Sequence, residues 1–71
     1  MTTLRIHTCI LAYRREHSMS QAEFGGLLGV SAQSVSKWEH QLCCPDITLL
    51  LELARLLEVS VEYLLGADEA S

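Results

Sequence analysis

The chain has 71 residues and a mass of 7.9 kDa, which is enough for one small domain and too little for a Rossmann or barrel enzyme. Because 49% of its residues are hydrophobic and 20% are charged, its composition excludes intrinsic disorder. For the chain as a whole, the net charge of −4 argues against a nucleic-acid ligand.

The negative charge is concentrated in the last third of the chain. Residues 41–71 contain six acidic residues and a single base, Arg55, whereas residues 1–40 contain four bases and three acidic residues. The first part also holds the three histidines, His7, His17 and His40. The first forty residues therefore remain a candidate surface for an anionic ligand.

Cysteine usage points to a reducing compartment. The cysteines Cys9, Cys43 and Cys44 are odd in number, and the first seven residues form no hydrophobic signal segment, so we expect a cytoplasmic protein rather than a secreted disulfide scaffold. The Cys and His spacing matches no ordinary zinc pattern, which leaves a metal or redox role as a minor alternative. No membrane segment is expected, because the richest apolar run, residues 47–57, is far shorter than the ~20 residues that span a bilayer.

Apolar residues recur with helical spacing along the chain and predict five helices without a strand. The first helix is predicted over residues 4–17, with one apolar face made of Ile6, Cys9, Ile10 and Tyr13. The second helix begins with a capping box between Ser20 and Glu23 and runs to Leu28, where Gly29 ends it.

The third helix is predicted to begin at Ser31, an N-cap residue, with Val35 and Trp38 on its apolar face. The turn at residues 28–31 is so short that the second and third helices must cross steeply. This geometry leaves the start of the third helix projecting, and its polar face carries Gln33, Ser36 and Lys37.

The fourth helix is predicted to follow Pro45, with Asp46 as its cap. Its apolar stripe is predicted to consist of Ile47, Leu50, Leu51, Ala54 and Leu57. The fifth helix is capped by Ser60, ends at Gly66 and turns three aliphatic residues inward, Val61, Leu64 and Leu65.

The order and spacing of these motifs resemble the helix-turn-helix family of phage repressors, Cro proteins and Xre-type bacterial regulators. The resemblance spans about residues 6–66 and is carried by Arg14 and by residues 20–24, 28–31, 33–39, 45–46, 58–61 and 64–66. It implies an all-α, five-helix, lambda-repressor-like helix-turn-helix domain over residues 1–71, with its core at about 4–66 and a frayed tail at 67–71.

The resemblance further implies a sequence-specific transcriptional repressor that binds double-stranded operator DNA as a homodimer, with residues 31–40 in the major groove. Gln33 would pair with adenine, and Lys37 would contact guanine or phosphate; solvated surface side chains are the alternative interpretation of both. Arg14 and Glu39 would form the buried ion pair of the family. The residues implied to contact DNA are Gln21, Ser31, Ala32, Gln33, Ser34, Ser36, Lys37 and His40. No catalytic residue, metal ligand or cofactor is expected.

The chain departs from the family pattern at three places. Residues 40–42 replace an Asn-Gly-base segment, which weakens the phosphate contact expected of that loop. Ser18 and Glu58 stand where the family often has glycine, so we expect Glu58 to be held at positive φ. The bases that remain for phosphate contact are Lys37, Arg15 and Arg5.

A surplus of apolar residues leaves a second function open, a protein-interaction module such as an antitoxin or adaptor that keeps the fold but binds DNA weakly or not at all. The acidic last third and the unusual residues 40–42 also favour it. The surplus residues are Leu4, Leu11, Leu42, Leu49, Leu56 and Tyr63. A homodimer surface is predicted around Leu56, Tyr63 and Leu64, and a different partner protein remains an alternative occupant of the apolar surface.

Overall fold

The computed structural model describes residues 4–67, and within that range it contains five helices and no strand. The helices are α1 (Ile6–His17), α2 (Gln21–Leu28), α3 (Ala32–Glu39), α4 (Ile47–Leu57) and α5 (Val61–Leu65). The predicted all-α, five-helix architecture is confirmed, although α1 begins at Ile6 rather than at residue 4. Residues 68–71 of the predicted tail lie outside the described residues.

The helices that the sequence predicts to be capped begin with a hydrogen bond between a side chain and the backbone of the first turn. At α2, the Ser20 hydroxyl accepts the backbone N–H of Glu23 at 3.0 Å, while the Glu23 carboxylate accepts the backbone N–H of Ser20 at 2.9 Å. Asp46 and Ser60 each accept one backbone N–H in the first turn of α4 and α5. These caps satisfy N–H groups that have no partner within their own helix.

Among residues 4–67, three non-glycine residues adopt left-handed backbone conformations, each just beyond a helix. Ser18 follows α1 at φ 52°, and Glu58 follows α4 at φ 58°. Gln41 lies in the loop after α3 at φ 59°. The positive φ expected at Glu58 is confirmed, and a side chain is held at each place in a conformation that glycine adopts at lower cost.

The core is a single cluster to which all five helices contribute. The predicted apolar face of α1 is confirmed, because Ile6 and Ile10 are buried while Cys9 and Tyr13 pack against them. The buried hydrophobic residues are Ile6, Ile10, Phe24, Val35, Trp38, Leu50, Leu53, Ala54 and Leu64. The Tyr13 ring meets Phe24 edge-on at 5.7 Å between centroids, which joins α1 to α2.

The predicted phase of α4 is partly wrong. Ile47 is 75% exposed and Leu51 is 49% exposed, whereas Leu53, absent from the predicted stripe, is fully buried. The buried face runs through Leu50, Leu53 and Ala54. Because almost every position of this helix is apolar, several helical stripes fit its sequence equally well, and the packing of α4 on the other helices selects one of them.

The predicted dimer surface also needs correction at one residue. Leu64 is fully buried in the core, so it cannot contribute to a contact between two copies. Tyr63, its neighbour in α5, is 39% exposed, and Leu56 is half-buried. Leu64 and Tyr63 differ in exposure because adjacent residues of a helix point about 100° apart around its axis, so that only one of the two can face the core.

α2 and α3 form the most extensive helix pair, and Gly25 permits their close approach. A Cβ atom on Gly25 would lie 2.6 Å from the carbonyl oxygen of Val30, in the turn that leads into α3. The backbone N–H of Val30 donates to the carbonyl of Gly25 at 2.9 Å. The close contact at Gly25 is therefore with the backbone of the turn between α2 and α3.

Candidate nucleic-acid interface

α3 divides cleanly into a buried face and a solvent face. Val35 is fully buried and Trp38 is 5% exposed, so one side of the helix is held against the core. Gln33 and Lys37, four residues apart, are both exposed on the other side. The anchored face fixes how the two polar side chains are presented, which a recognition helix requires.

The start of α3 is stabilised by serine hydroxyls. The Ser31 hydroxyl accepts the backbone N–H of Ser34 at 3.2 Å, and the two hydroxyl oxygens lie 3.3 Å apart. Ser31 is exposed, while Ala32, Ser34 and Ser36 are half-buried. Ser31 and Ser34 therefore have a structural role at the helix terminus in addition to the DNA contact predicted for them.

His40 lies directly after α3 and is exposed. Its Nδ1 lies 2.8 Å from the backbone carbonyl oxygen of Ser36. Because a carbonyl can only accept, Nδ1 is the donor in this bond. The ring is thereby tied to the last turn of α3, beside the exposed Lys37.

The predicted pair of Arg14 and Glu39 is confirmed. The Nη1 atom of Arg14 lies 2.9 Å and 2.7 Å from the two carboxylate oxygens of Glu39, and the side chains are 21% and 6% exposed. Arg14 also donates through Nε to the backbone carbonyl of Met19 at 3.2 Å. The pair joins α1 to the end of α3. Because Arg14 is bonded within the protein, it is not counted among the bases that contact phosphate.

Gln21, the first residue of α2, makes a contact that the sequence did not indicate. Its Nε2 donates to Oε1 of Glu39 at 2.9 Å, across 18 positions of the chain. Because the partners lie on different helices, neither periodicity nor capping motifs could have revealed this bond. Gln21 is half-buried, and this bond holds its side chain where the start of α2 lies against the end of α3.

The bases of the first forty residues are distributed over different parts of the fold. Lys37 and Arg15 are exposed. Arg5 stacks its guanidinium 4.3 Å from the centre of the Tyr63 ring and donates through Nη1 to the backbone carbonyl of Tyr63 at 2.8 Å. Arg5 is therefore held against α5, which disfavours its predicted contribution to phosphate binding.

The shifted pKa values among the described residues arise from the helix caps and from burial. Hydrogen bonds from Ser20 hold the pKa of Glu23 below its ordinary value. The backbone N–H of Leu49 and the hydroxyl of Thr48 lower the pKa of Asp46. Burial raises the pKa of the Cys9 thiol, which makes it a poorer nucleophile.

The other two cysteines lie in the loop between α3 and α4. Cys43 and Cys44 are exposed in the loop before α4 and line, with His7, a mostly apolar cavity of about 230 Å³. Among residues 4–67, no group of three or more His, Cys, Asp or Glu side chains is arranged to hold a metal ion. No helix in the same range is both long and apolar enough to cross a membrane.

Comparison with known proteins identifies similar chains. The helix-turn-helix family pattern matches residues 10–64. Repressor protein C2 of Salmonella phage P22 is 35% identical over 68 residues, which is 96% of this chain and 32% of that protein. The transcriptional regulator ImmR of Bacillus subtilis is 36% identical over 58 residues, which is 82% of this chain and 46% of that protein.

One solved structure resembles this fold closely. It is the crystal structure of the P22 c2 repressor protein in complex with synthetic operator 9T, with a TM-score of 0.75 and 36% sequence identity. The similarity covers 90% of this chain and 96% of the solved one. The two curated relatives are longer, and this chain spans about a third to a half of their length.

Proposed function

The chain belongs to the helix-turn-helix family, and we propose that it is a sequence-specific DNA-binding transcriptional regulator that acts as a repressor. The observation that carries the proposal is the exposed face of α3, where Gln33 and Lys37 stand outward from a helix anchored by Val35 and Trp38. The family relationship and the repressor–operator complex of similar fold support it. Occupation of an operator by this domain would exclude RNA polymerase from the promoter.

Base recognition is assigned chiefly to Gln33. A glutamine side chain both donates and accepts hydrogen bonds, so it can pair with N6 and N7 of adenine in the major groove. Lys37 donates to a guanine edge or a phosphate, and the methyl group of Ala32 can contact a thymine methyl. With so few side chains for direct readout, one protomer discriminates weakly between sequences.

Phosphate contacts are assigned to both ends of the helix-turn-helix. Gln21 lies at the start of α2, where unpaired backbone N–H groups favour an anion. Ser31 and Ser34 lie at the start of α3 and His40 follows its end, whereas Ser36 belongs with the base-facing positions Ala32, Gln33 and Lys37. The phosphate contacts would set the register of the domain on the duplex without carrying sequence information themselves.

A homodimer follows from the weak readout of one protomer. Helix-turn-helix dimers read two half-sites about one helical turn apart, which doubles the number of specified bases. The exposed part of Tyr63 and the half-buried Leu56 are the proposed contact residues, without the buried Leu64. We place the whole of residues 1–71 in one domain and its action in the cytoplasm, where bacterial and phage DNA is transcribed.

A protein-interaction module is the second candidate, and the apolar surface favours it. Leu42 and Ile47 are 74% and 75% exposed, and Leu27 and Leu51 are about half exposed. The same surface could accompany DNA binding in a regulator that also binds a second protein. The two candidates therefore differ in one measurable property, which is sequence-specific affinity for a duplex.

Selection from random duplexes, followed by titration of the enriched duplex and its scrambled form, tests the proposal. A regulator enriches a near-palindrome with half-sites about ten base pairs apart, and it binds that duplex more tightly than the scrambled one. An interaction module enriches no sequence and binds both duplexes with the same weak affinity. The second outcome would replace the regulator by the interaction module.

A further inference from the structure

Glu39 holds the side chain of Gln21 in one orientation. The carboxylate oxygen Oε1 of Glu39 lies 2.9 Å from the amide nitrogen Nε2 of Gln21. Because a carboxylate can only accept, it must face the amide nitrogen of Gln21 rather than its carbonyl oxygen. The bond therefore determines which end of the amide group faces Glu39.

Glu39 is itself immobilised. Arg14 donates to both of its carboxylate oxygens, and only 6% of the Glu39 side chain is exposed. The guanidinium also offsets the negative charge of the carboxylate, which would otherwise repel a phosphate nearby. Gln21 thus hydrogen-bonds to a fixed and charge-compensated acceptor, so that its own position is determined by α1 and α3 as well as by α2.

The Gln21 amide nitrogen retains a second N–H after it has donated to Glu39. Gln21 is the first residue of α2, and the backbone N–H groups of Gln21 and Ala22 precede the first one that the Ser20 cap satisfies. A DNA phosphate is an acceptor, so it requires donors of this kind. Side-chain and backbone donors thus lie together at one helix terminus.

We propose that Glu39 is a positioning residue for DNA binding: it orients the second N–H of Gln21 toward the phosphate that lies at the start of α2. The inference rests on the proposed function, because it needs a DNA phosphate at this place. Glu39 touches no DNA and acts through Gln21. Glu39 also connects the two contacts with DNA, because it lies in α3, the helix that reads bases, and bonds to the residue of α2 that meets the DNA phosphate.

Two substitutions of Glu39 separate this role from its contribution to stability. Oε1 accepts from both Arg14 and Gln21, whereas Oε2 accepts from Arg14. In Glu39→Gln, the remaining carbonyl oxygen can still accept from Gln21, while the charge and the Oε2 acceptor are lost. In Glu39→Met, no oxygen acceptor remains, and the thioether sulfur is only a weak acceptor. Both variants should be less stable, but only Glu39→Met should release Gln21.

Operator affinity is measured below the melting temperature of every variant and expressed per folded molecule. Gln21→Ala should weaken binding about tenfold, equally on the operator and on a scrambled duplex. Glu39→Met should lose a comparable factor, and it should lose little more when combined with Gln21→Ala. Glu39→Gln should bind within about twofold of the parent chain despite its lower melting temperature.

Full affinity of folded Glu39→Met, or losses that multiply in the double variant, would overturn the inference. The side-chain amide protons of Gln21 in NMR spectra provide a test that needs no Glu39 variant. They should shift when operator DNA is added to the parent chain, and unchanged signals would also overturn the inference. Failure of the parent chain to prefer any duplex would refute the proposed function itself, which is a distinct outcome.

Discussion

Nη1 of Arg14 lies 2.7 Å from Oε2 of Glu39, and this contact ties the end of α3, the proposed recognition helix, to α1 across 25 positions of the chain. Glu39 is nearly enclosed, so the bond is far less exposed to water than a surface salt bridge. The same carboxylate accepts from Gln21. One acidic side chain of α3 therefore contacts both α1 and α2.

Loss of the Arg14 side of this pair should destabilise the domain strongly. Arg14→Gln leaves the carboxylate of Glu39 buried without its counter-charge, which should lower the free energy of unfolding by about 2–3 kcal/mol. We place the loss below the largest values for buried pairs because Arg14 is 21% exposed. In thermal melts this corresponds to a midpoint roughly 10–20 °C lower.

Arg15→Gln is the matched control, because it makes the same substitution at the adjacent, exposed position. It should change the free energy of unfolding by less than about 0.5 kcal/mol. Equal melting midpoints for the Arg14 and Arg15 variants would show that the ion pair contributes no stability.

Alanine substitutions at two adjacent glycines of α2 should change the free energy of unfolding in opposite directions. In Gly25→Ala, the new Cβ would lie 2.6 Å from the Val30 carbonyl oxygen, so α2 and the turn must move apart and the domain should lose roughly 1–3 kcal/mol. In Gly26→Ala, the new Cβ has no neighbouring atom within 4 Å, and the higher helix propensity of alanine should add about 0.5–1 kcal/mol. Urea unfolding of the two variants measures both values, and a stabilised Gly25→Ala would contradict the close packing of α2 on the turn.

Acid should weaken the domain through its helix caps. The pKa values of Glu23 and Asp46 are lowered in the folded state from their ordinary 4.5 and 3.8. The stabilisation from a lowered carboxyl pKa is present above the ordinary pKa and is lost as the pH falls through the folded value. Urea unfolding at successive pH values should therefore show stability falling from about pH 4.5 downward.

The double variant Glu23→Gln, Asp46→Asn should show a shallower loss of stability in acid. Its amide oxygens still accept the cap N–H groups but do not titrate over this range. Glu52→Gln removes an exposed carboxyl of α4 outside any cap and serves as the control. If the double variant lost stability in acid as steeply as the parent chain, the two caps would not be the source of the pH dependence.

Gln33→Ala and Lys37→Ala should have distinguishable effects on DNA binding. Gln33→Ala should cost about 1–3 kcal/mol on the selected operator and little on a scrambled duplex. Lys37→Ala should weaken binding to both duplexes, and it should make the affinity less dependent on salt if the lysine contacts phosphate. Titration at several salt concentrations separates the two effects, and Arg55→Ala, at an exposed base of α4, is the control.

The salt dependence of the parent chain should itself be shallow. Three phosphate-binding bases per protomer would give a slope of log K against log salt near −3. Because Arg5 is held against Tyr63, we expect a value closer to −2 from Lys37 and Arg15. A slope near −5 per protomer would mean that further bases contact the duplex.

Dimerisation should depend on the exposed part of α5. Sedimentation at micromolar concentration should show a dimer, with or without operator DNA, and Tyr63→Ser should shift it toward the monomer by removing an aromatic contact. Glu62→Ser, at the adjacent exposed position, is the control. A monomer of 7.9 kDa under all these conditions would exclude the proposed surface.

Local features of this protein were determined by the sequence itself. Ser20, Ser31, Asp46 and Ser60 were all predicted as caps and all accept the expected backbone N–H. A cap bond forms within three residues, so its partners are adjacent in the chain whatever the rest of the fold does. The pairing of Arg14 with Glu39 was also foreseen, but through the resemblance to the family rather than through spacing.

Only the tertiary structure decided which apolar residues of α4 are buried and which side chains of different helices come into contact. The apolar residues of α4 allow several stripes, and packing buried Leu53 while it left Ile47 and Leu51 exposed. The bond from Gln21 to Glu39 joins residues 18 positions apart on two helices, and no local pattern encodes the distance between them. Such contacts exist only once the helices have packed around the common core.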